Sequence, residues 1–123
     1  MLVSYTKPHL TPVNGGYELL NECEYVFHDG MSYTVPKGYV TNGADVPRAF
    51  WFLFPPNKAD YMPAVIIHDW LCDVAGINND DKDTYRQADE AFKDTLIACG
   101  LKKATVSILY NAVKMYHKIK YKT

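Results

Sequence analysis

Cysteine is sparse in this chain. Cys23, Cys72 and Cys99 are the only three in 123 residues, and no two form a CxxC pair. That excludes a zinc ribbon or a disulfide scaffold, and the thiols read as small buried hydrophobes of a reducing cytosol. No run approaches the roughly 18 apolar residues that cross a bilayer, so no membrane span is expected. The opening Met1–Pro8 has neither the basic segment nor the apolar run of a secretory leader. The expectation is a protein made in the cytoplasm. Neither sign of charge dominates: the formal net charge is −1, which does not favour nonspecific nucleic-acid binding. An HExxH helix, a Ser–His–Asp order and a phosphate-cradling glycine loop are all missing.

What is present is an ordinary globular composition, 48% hydrophobic and 22% charged, in a length that suits one domain over residues 1–123. Aromatics are plentiful, with ten tyrosines among seventeen rings. A tyrosine has an apolar body and a polar tip, so some of these rings are expected to rim a groove or an interface. Charge is unevenly spread. Asp80, Asp81, Asp83, Asp89, Glu90 and Asp94 make residues 80–94 acidic, whereas six lysines and no acid follow Asp94. A solvated helix ending in lysines, favourable to its own dipole, accounts for the basic end.

The first half, to about residue 54, reads as strands. Tyr17–Leu20 follows an Asn14-Gly15-Gly16 turn. Glu24–Phe27 runs through Asp29-Gly30 into Ser32–Val35, a hairpin pattern. With Tyr39-Val40-Thr41, three or four short antiparallel strands are expected. Phe50–Phe54 is an aromatic hinge between prolines, either a turn or two of helix packed as core or a ligand-lining wall. From about residue 57 to 120 the chain reads as three helices. The first covers about 59–75 and ends at Gly76. The second is capped by Thr84 and carries Tyr85, Ala88, Phe92, Leu96 and Cys99 on one face. The third starts at Thr105, with Val106, Leu109, Tyr110, Val113 and His117 at helical spacing. The intervening 76–83 is an exposed loop whose acids lack the EF-hand pattern.

Two ionisable residues stand in one of the most apolar stretches: His68 and Asp69 in Ala64-Val65-Ile66-Ile67-His68-Asp69-Trp70-Leu71-Cys72. Such groups are costly to bury unless paired or hydrogen-bonded. Asp89 is similarly lodged among Tyr85, Ala88 and Phe92. His68 lies on a stripe with Cys72, and Asp69 with Asp73 nearer the edge. Packing the first two helices antiparallel makes a His68–Asp89 hydrogen bond plausible. Asp89 would then fix the imidazole tautomer, as a general base requires; a purely structural network is the alternative. His68, Asp69, Cys72 and Asp89 offer metal-ligand atoms, but no two-histidine spacing supports them, so no metal or other cofactor is expected.

The turn Thr41–Arg48 is the second candidate. Gly43 permits positive φ and Pro47 stiffens the exit. Asp45 and Arg48 can pair as a staple. Alternatively Asn42, Asp45 and Arg48 face a cleft floored by His68, with Arg48 taking an anion or carboxylate.

Thr41-Asn42-Gly43-Ala44-Asp45-Val46-Pro47-Arg48, then Trp51, His68-Asp69-Trp70-Leu71 and Arg86…Ala88-Asp89…Phe92 together resemble the phage- and prophage-encoded proteins grouped as domain of unknown function 1353. The likeness covers roughly residues 33–115. The family's loop reads Thr-Asp-x-Ala-Ser-Val-Pro-Arg, so with Asn42 and Asp45 here one carboxylate has moved within the loop. The resemblance implies a phage origin and no assigned activity. A His-Asp pair followed by a distant helix-borne Asp is also similar to phospholipase A2, but the calcium loop and disulfides of that enzyme are missing, and the likeness is analogy alone.

The expected fold is α+β, a small N-terminal antiparallel sheet packed against three C-terminal helices. Two functional readings follow. The favoured one is a non-enzymatic phage accessory protein, in host cytoplasm or on the virion, that binds a host or phage protein and keeps the His/Asp cluster as a polar core. The other is a small phage hydrolase with His68 as base oriented by Asp89, in which Asp69 and the Asn42–Arg48 loop contact substrate or metal.

Overall fold

Inward-facing Cys23, Tyr25 and Phe27 alternate with more exposed neighbours, the period-two signature of a half-buried strand. In the computed structural model, which describes residues 1–43, 46–54 and 60–121, this segment is the centre of a three-stranded sheet. Six strands form: β1 (Leu2–Tyr5), β2 (Leu10–Val13), β3 (Gly16–Leu19), β4 (Cys23–Phe27), β5 (Ser32–Val35) and β6 (Val40–Thr41). They make two antiparallel sheets, ordered β1-β4-β5 and β2-β3-β6. The Asp29-Gly30 turn joins β4 to β5 as expected: Gly30 takes φ +84°, and the Met31 N–H donates to Asp29 Oδ1 at 3.0 Å. β1 and β2 exceed the expected count. No residue of either is fully buried, so neither carries the alternation that β4 shows.

Three helices follow: α1 (Met62–Ile77), α2 (Lys82–Ala98) and α3 (Lys103–Tyr121). α1 buries residues on nearly every side, among them Ile66, Ile67 and Leu71, because it lies between the sheets and the other helices. Pro63 fits its first turn, where no backbone donor is lost. The helix runs through Gly76, the expected stop. Asn79 and Asp80 end it instead, with φ of 60° and 57°, a conformation these two side chains tolerate better than most. The cap of α2 also differs from expectation: Asp81, not Thr84, is the N-cap, and its carboxylate accepts the Thr84 N–H at 3.1 Å and the Thr84 hydroxyl at 2.6 Å. α3 begins two residues before Thr105.

The core has two parts. Leu19, Tyr25, Phe27 and Val35 of the sheets meet Ile66, Ile67 and Leu71 of α1. Phe92, Leu96, Leu109 and Val113 pack the helices against one another and against Val46. Residues Arg48–Leu53 form a 3-10 helix with no fully buried residue, and the two readings of this hinge, core and wall, are divided among its rings. Phe50, Leu53 and Phe54 lean on the helical core, while Trp51 and Phe54 also line a cleft. No helix among the described residues is long and apolar enough to cross a membrane.

Candidate functional site

α1 and α2 are joined by a short connection and pack side by side, which brings His68 against the buried stripe of α2. His68 Nε2 lies 3.0 Å from Asp89 Oδ1, the pairing expected from the two helical stripes. A second imidazole completes the arrangement: His117 Nδ1 of α3 straddles the carboxylate, 2.9 Å from Asp89 Oδ1 and 3.0 Å from Oδ2. One carboxylate thus joins two histidines from the two helices that flank its own. All three are buried, with 0% of His68, 4% of Asp89 and 1% of His117 exposed, and Asp89 borders a surface pocket between α2 and α3. Burial alone would raise the Asp89 pKa; hydrogen bonds from His117 and His68 outweigh it and hold the carboxyl below its ordinary value. Phe92 covers the His68 ring at 4.6 Å and Tyr85 covers His117 at 4.8 Å.

Asp69 is deeper than the edge position expected for it, 2% exposed. Its Oδ2 accepts the Thr41 hydroxyl and, at 2.9 Å, the Gly43 N–H. One turn on, Asp73 accepts the Tyr39 hydroxyl at 2.6 Å. Alternate residues of the β6 segment therefore meet carboxylates four apart on α1, so the strand period and the helix period coincide along one line. Burial raises the Asp69 pKa, with the Thr41 and Gly43 hydrogen bonds acting against it. Asp69 Oδ1 and His68 Nδ1 are both buried without a hydrogen-bond partner.

The cleft beside the Thr41–Gly43 bend has a volume of about 300 Å³. Its walls include Tyr17, Trp51, Phe54 and Tyr61, and Met62 and Val65 of α1 form its floor. The sequence placed His68 there. The side chain instead points away, because Val65 and Asp69 occupy the α1 stripe that faces β6 while His68 faces α2 and α3. Asn42 lines the cleft and is exposed. Arg48 is exposed and stacks 5.1 Å over the Trp51 ring. Asp45, and with it the expected Asp45–Arg48 staple, lies outside the described residues.

Cys72 Sγ is 3.7 Å from His68 Nε2 and 3.5 Å from His117 Nε2. Among the described residues the grouping with metal-ligating potential is His68, Cys72 and His117. Asp69, named with His68 and Cys72 from the sequence, faces the other way. Sequence reasoning missed His117 as a member, although it stood on the apolar stripe of α3.

This chain matches the model of the family described as Protein of unknown function (DUF1353) over residues 17–113. The chain belongs to that family. The matched span holds Thr41, His68, Asp69, Cys72 and Asp89; His117 lies beyond it. Uncharacterized protein y4iH of Sinorhizobium fredii (strain NBRC 101917 / NGR234) is 31% identical over 104 residues, which are 83% of this chain and 41% of that protein. Uncharacterized protein y4jT of the same strain is 30% identical over 59 residues, 47% of this chain and 18% of that protein. The DUF1353 chain thus spans less than half the length of these relatives. No solved structure matches it at a significant level.

Proposed function

We propose that this DUF1353 protein is a non-enzymatic binding module, a phage-derived accessory protein that engages a host or virion protein. On this reading the aromatic cleft takes the partner and the His68–Asp89–His117 network holds α1, whose Met62 and Val65 form its floor, against α2 and α3. The complete burial of His68 carries the reading. A general base must touch the proton it removes, directly or through one water. His68 Nε2 instead faces Asp89 and Cys72, with none of its side chain exposed. Trp51, by contrast, lines the open cleft and is 39% exposed, and such rings are the usual anchors of protein recognition. The motif resemblance supplies the phage origin, and host cytoplasm or virion is the setting it implies.

A pull-down from infected host cells with wild type and Trp51→Ala side by side tests the binding half. A partner retained by wild type and lost with Trp51→Ala is expected, and equal capture by both overturns the assignment of the cleft. His68→Ala tests the other half. It is expected to lose roughly 1–3 kcal/mol of stability, because buried Asp89 loses one of its two imidazole donors. A His68→Ala protein as stable as wild type that has lost a measured hydrolysis would establish the hydrolase instead.

A further inference from the structure

Three donor side chains converge where α1 meets α3. His68 and Cys72 stand four residues apart on one stripe of α1, and His117 comes from α3, 45 residues beyond Cys72. One ligand atom of each lies within 4.8 Å of the other two. Zinc bonds of about 2.05 Å to nitrogen and about 2.3 Å to sulfur give a tetrahedral N–S edge of about 3.6 Å. The observed Sγ–Nε2 separations of 3.7 and 3.5 Å fall on that edge.

Asp89 completes the setting. By holding His117 through Nδ1 it leaves the Nε2 lone pair directed at Cys72, the carboxylate–histidine arrangement that commonly orients a metal ligand. The Cys72 thiol is a feeble donor set against two ring nitrogens, one of which, His68 Nε2, also faces Asp89 Oδ1. The charges are also lopsided: among the described residues, the buried polar set contains two carboxylates, Asp69 and Asp89, and no lysine or arginine.

We infer that His68, Cys72 and His117 form a binding site for a divalent transition-metal ion of the zinc type, which links α1 to α3. Mixed imidazole and thiolate donors select such an ion over magnesium or calcium, which want oxygen. Binding requires the His68 proton to move from Nε2, where it is shared with Asp89 Oδ1, to Nδ1, and Cys72 to be deprotonated, its thiol proton passing to solvent. The ion is a structural staple. The site goes beyond the binding-module reading and does not rest on it, since it is assayed with no partner present.

The test strips the full-length protein with a chelator and titrates it with cobalt(II), then with zinc(II). Wild type is expected to take up one equivalent of cobalt with a thiolate-to-metal charge-transfer band, to release it to zinc, and to melt at a higher temperature with zinc. Cys72→Ser removes the band, and Asp89→Asn weakens zinc affinity about 10–100-fold. Absence of the band together with an unchanged melt in wild type overturns the site. So does equal uptake by Cys72→Ser, which would place the ion elsewhere, for instance at exposed His9 or His28. Should Cys72→Ser fail to fold, X-ray absorption at the zinc edge of wild type decides: one sulfur with two nitrogens supports the site, and a shell without sulfur overturns it.

Discussion

His117 Nδ1 stands 2.9 Å from Asp89 Oδ1 and 3.0 Å from Oδ2, so the last helix is tied to the middle helix by the same carboxylate that His68 holds. Removing that carboxylate leaves two buried imidazoles without their shared acceptor. Asp89→Ala is therefore expected to cost about 3–5 kcal/mol, the range for breaking a buried pair from one side. Glu90→Ala, one residue along, is the control. Glu90 is exposed, bonded to the Tyr110 hydroxyl and 3.4 Å from Lys93, and its loss is expected to cost about 0.5 kcal/mol or less. Urea denaturation of the two variants checks the contrast; equal midpoints would mean that the buried network contributes no more than a surface contact.

Asp69 does for the sheet what Asp89 does for the helices. Its Oδ2 receives the Thr41 hydroxyl and the Gly43 N–H, which pins the end of β6 to α1. Asp69→Ala orphans both donors and is expected to cost about 2–4 kcal/mol. Asp69→Asn keeps an acceptor oxygen in place and removes a charge whose burial is unfavourable, as its raised pKa records. The asparagine variant is thus expected to retain most of the stability that alanine loses. Thermal melts of both proteins measure the difference, and an asparagine variant as unstable as alanine would show that the charge itself is needed.

Much of this was legible in the sequence, and the limits have physical causes. The α+β class and the His68–Asp89 pair follow from local periodicity, since positions three and four apart fix which residues share a helical face. His117 was on the correct face of the third helix, but how α3 lies against α1 depends on packing that no local pattern encodes. Asp69 was placed near an edge because its true partners, Thr41 and the Gly43 backbone, are 28 and 26 residues away. β1 and β2 went unread for a similar reason. With no fully buried residue in either, they are strands by virtue of pairing with β4 and β3.

The start of α2 depends on one side chain. Asp81 accepts both the backbone N–H and the hydroxyl of Thr84 through Oδ2. Its negative charge also sits at the positive end of the helix dipole. Asp81→Ala is expected to cost about 1 kcal/mol, the usual loss for an N-cap. Thr84→Val removes the hydroxyl but leaves the Thr84 N–H bonded, so a smaller loss is expected. Chemical denaturation ranks the pair; a larger loss for Thr84→Val would make Thr84 the effective cap after all.

Gly16 is the tightest point beside the cleft. A Cβ built on it would lie 2.2 Å from the Thr41 carbonyl oxygen and 3.0 Å from the Thr41 carbonyl carbon, both backbone atoms that have no rotamer by which to yield. β3 and β6 would have to part where Tyr17 faces Thr41. Gly16→Ala is accordingly expected to cost about 2–4 kcal/mol, at or above the upper range for overpacking. The damage should also reach the Asp69–Thr41 hydrogen bond, because the same residue carries both contacts. Hydrogen exchange at the Gly43 amide reads this directly, since that N–H is held by Asp69. Faster exchange in Gly16→Ala is the expected result. Unchanged exchange with lowered global stability would instead confine the effect to the β3–β6 pairing.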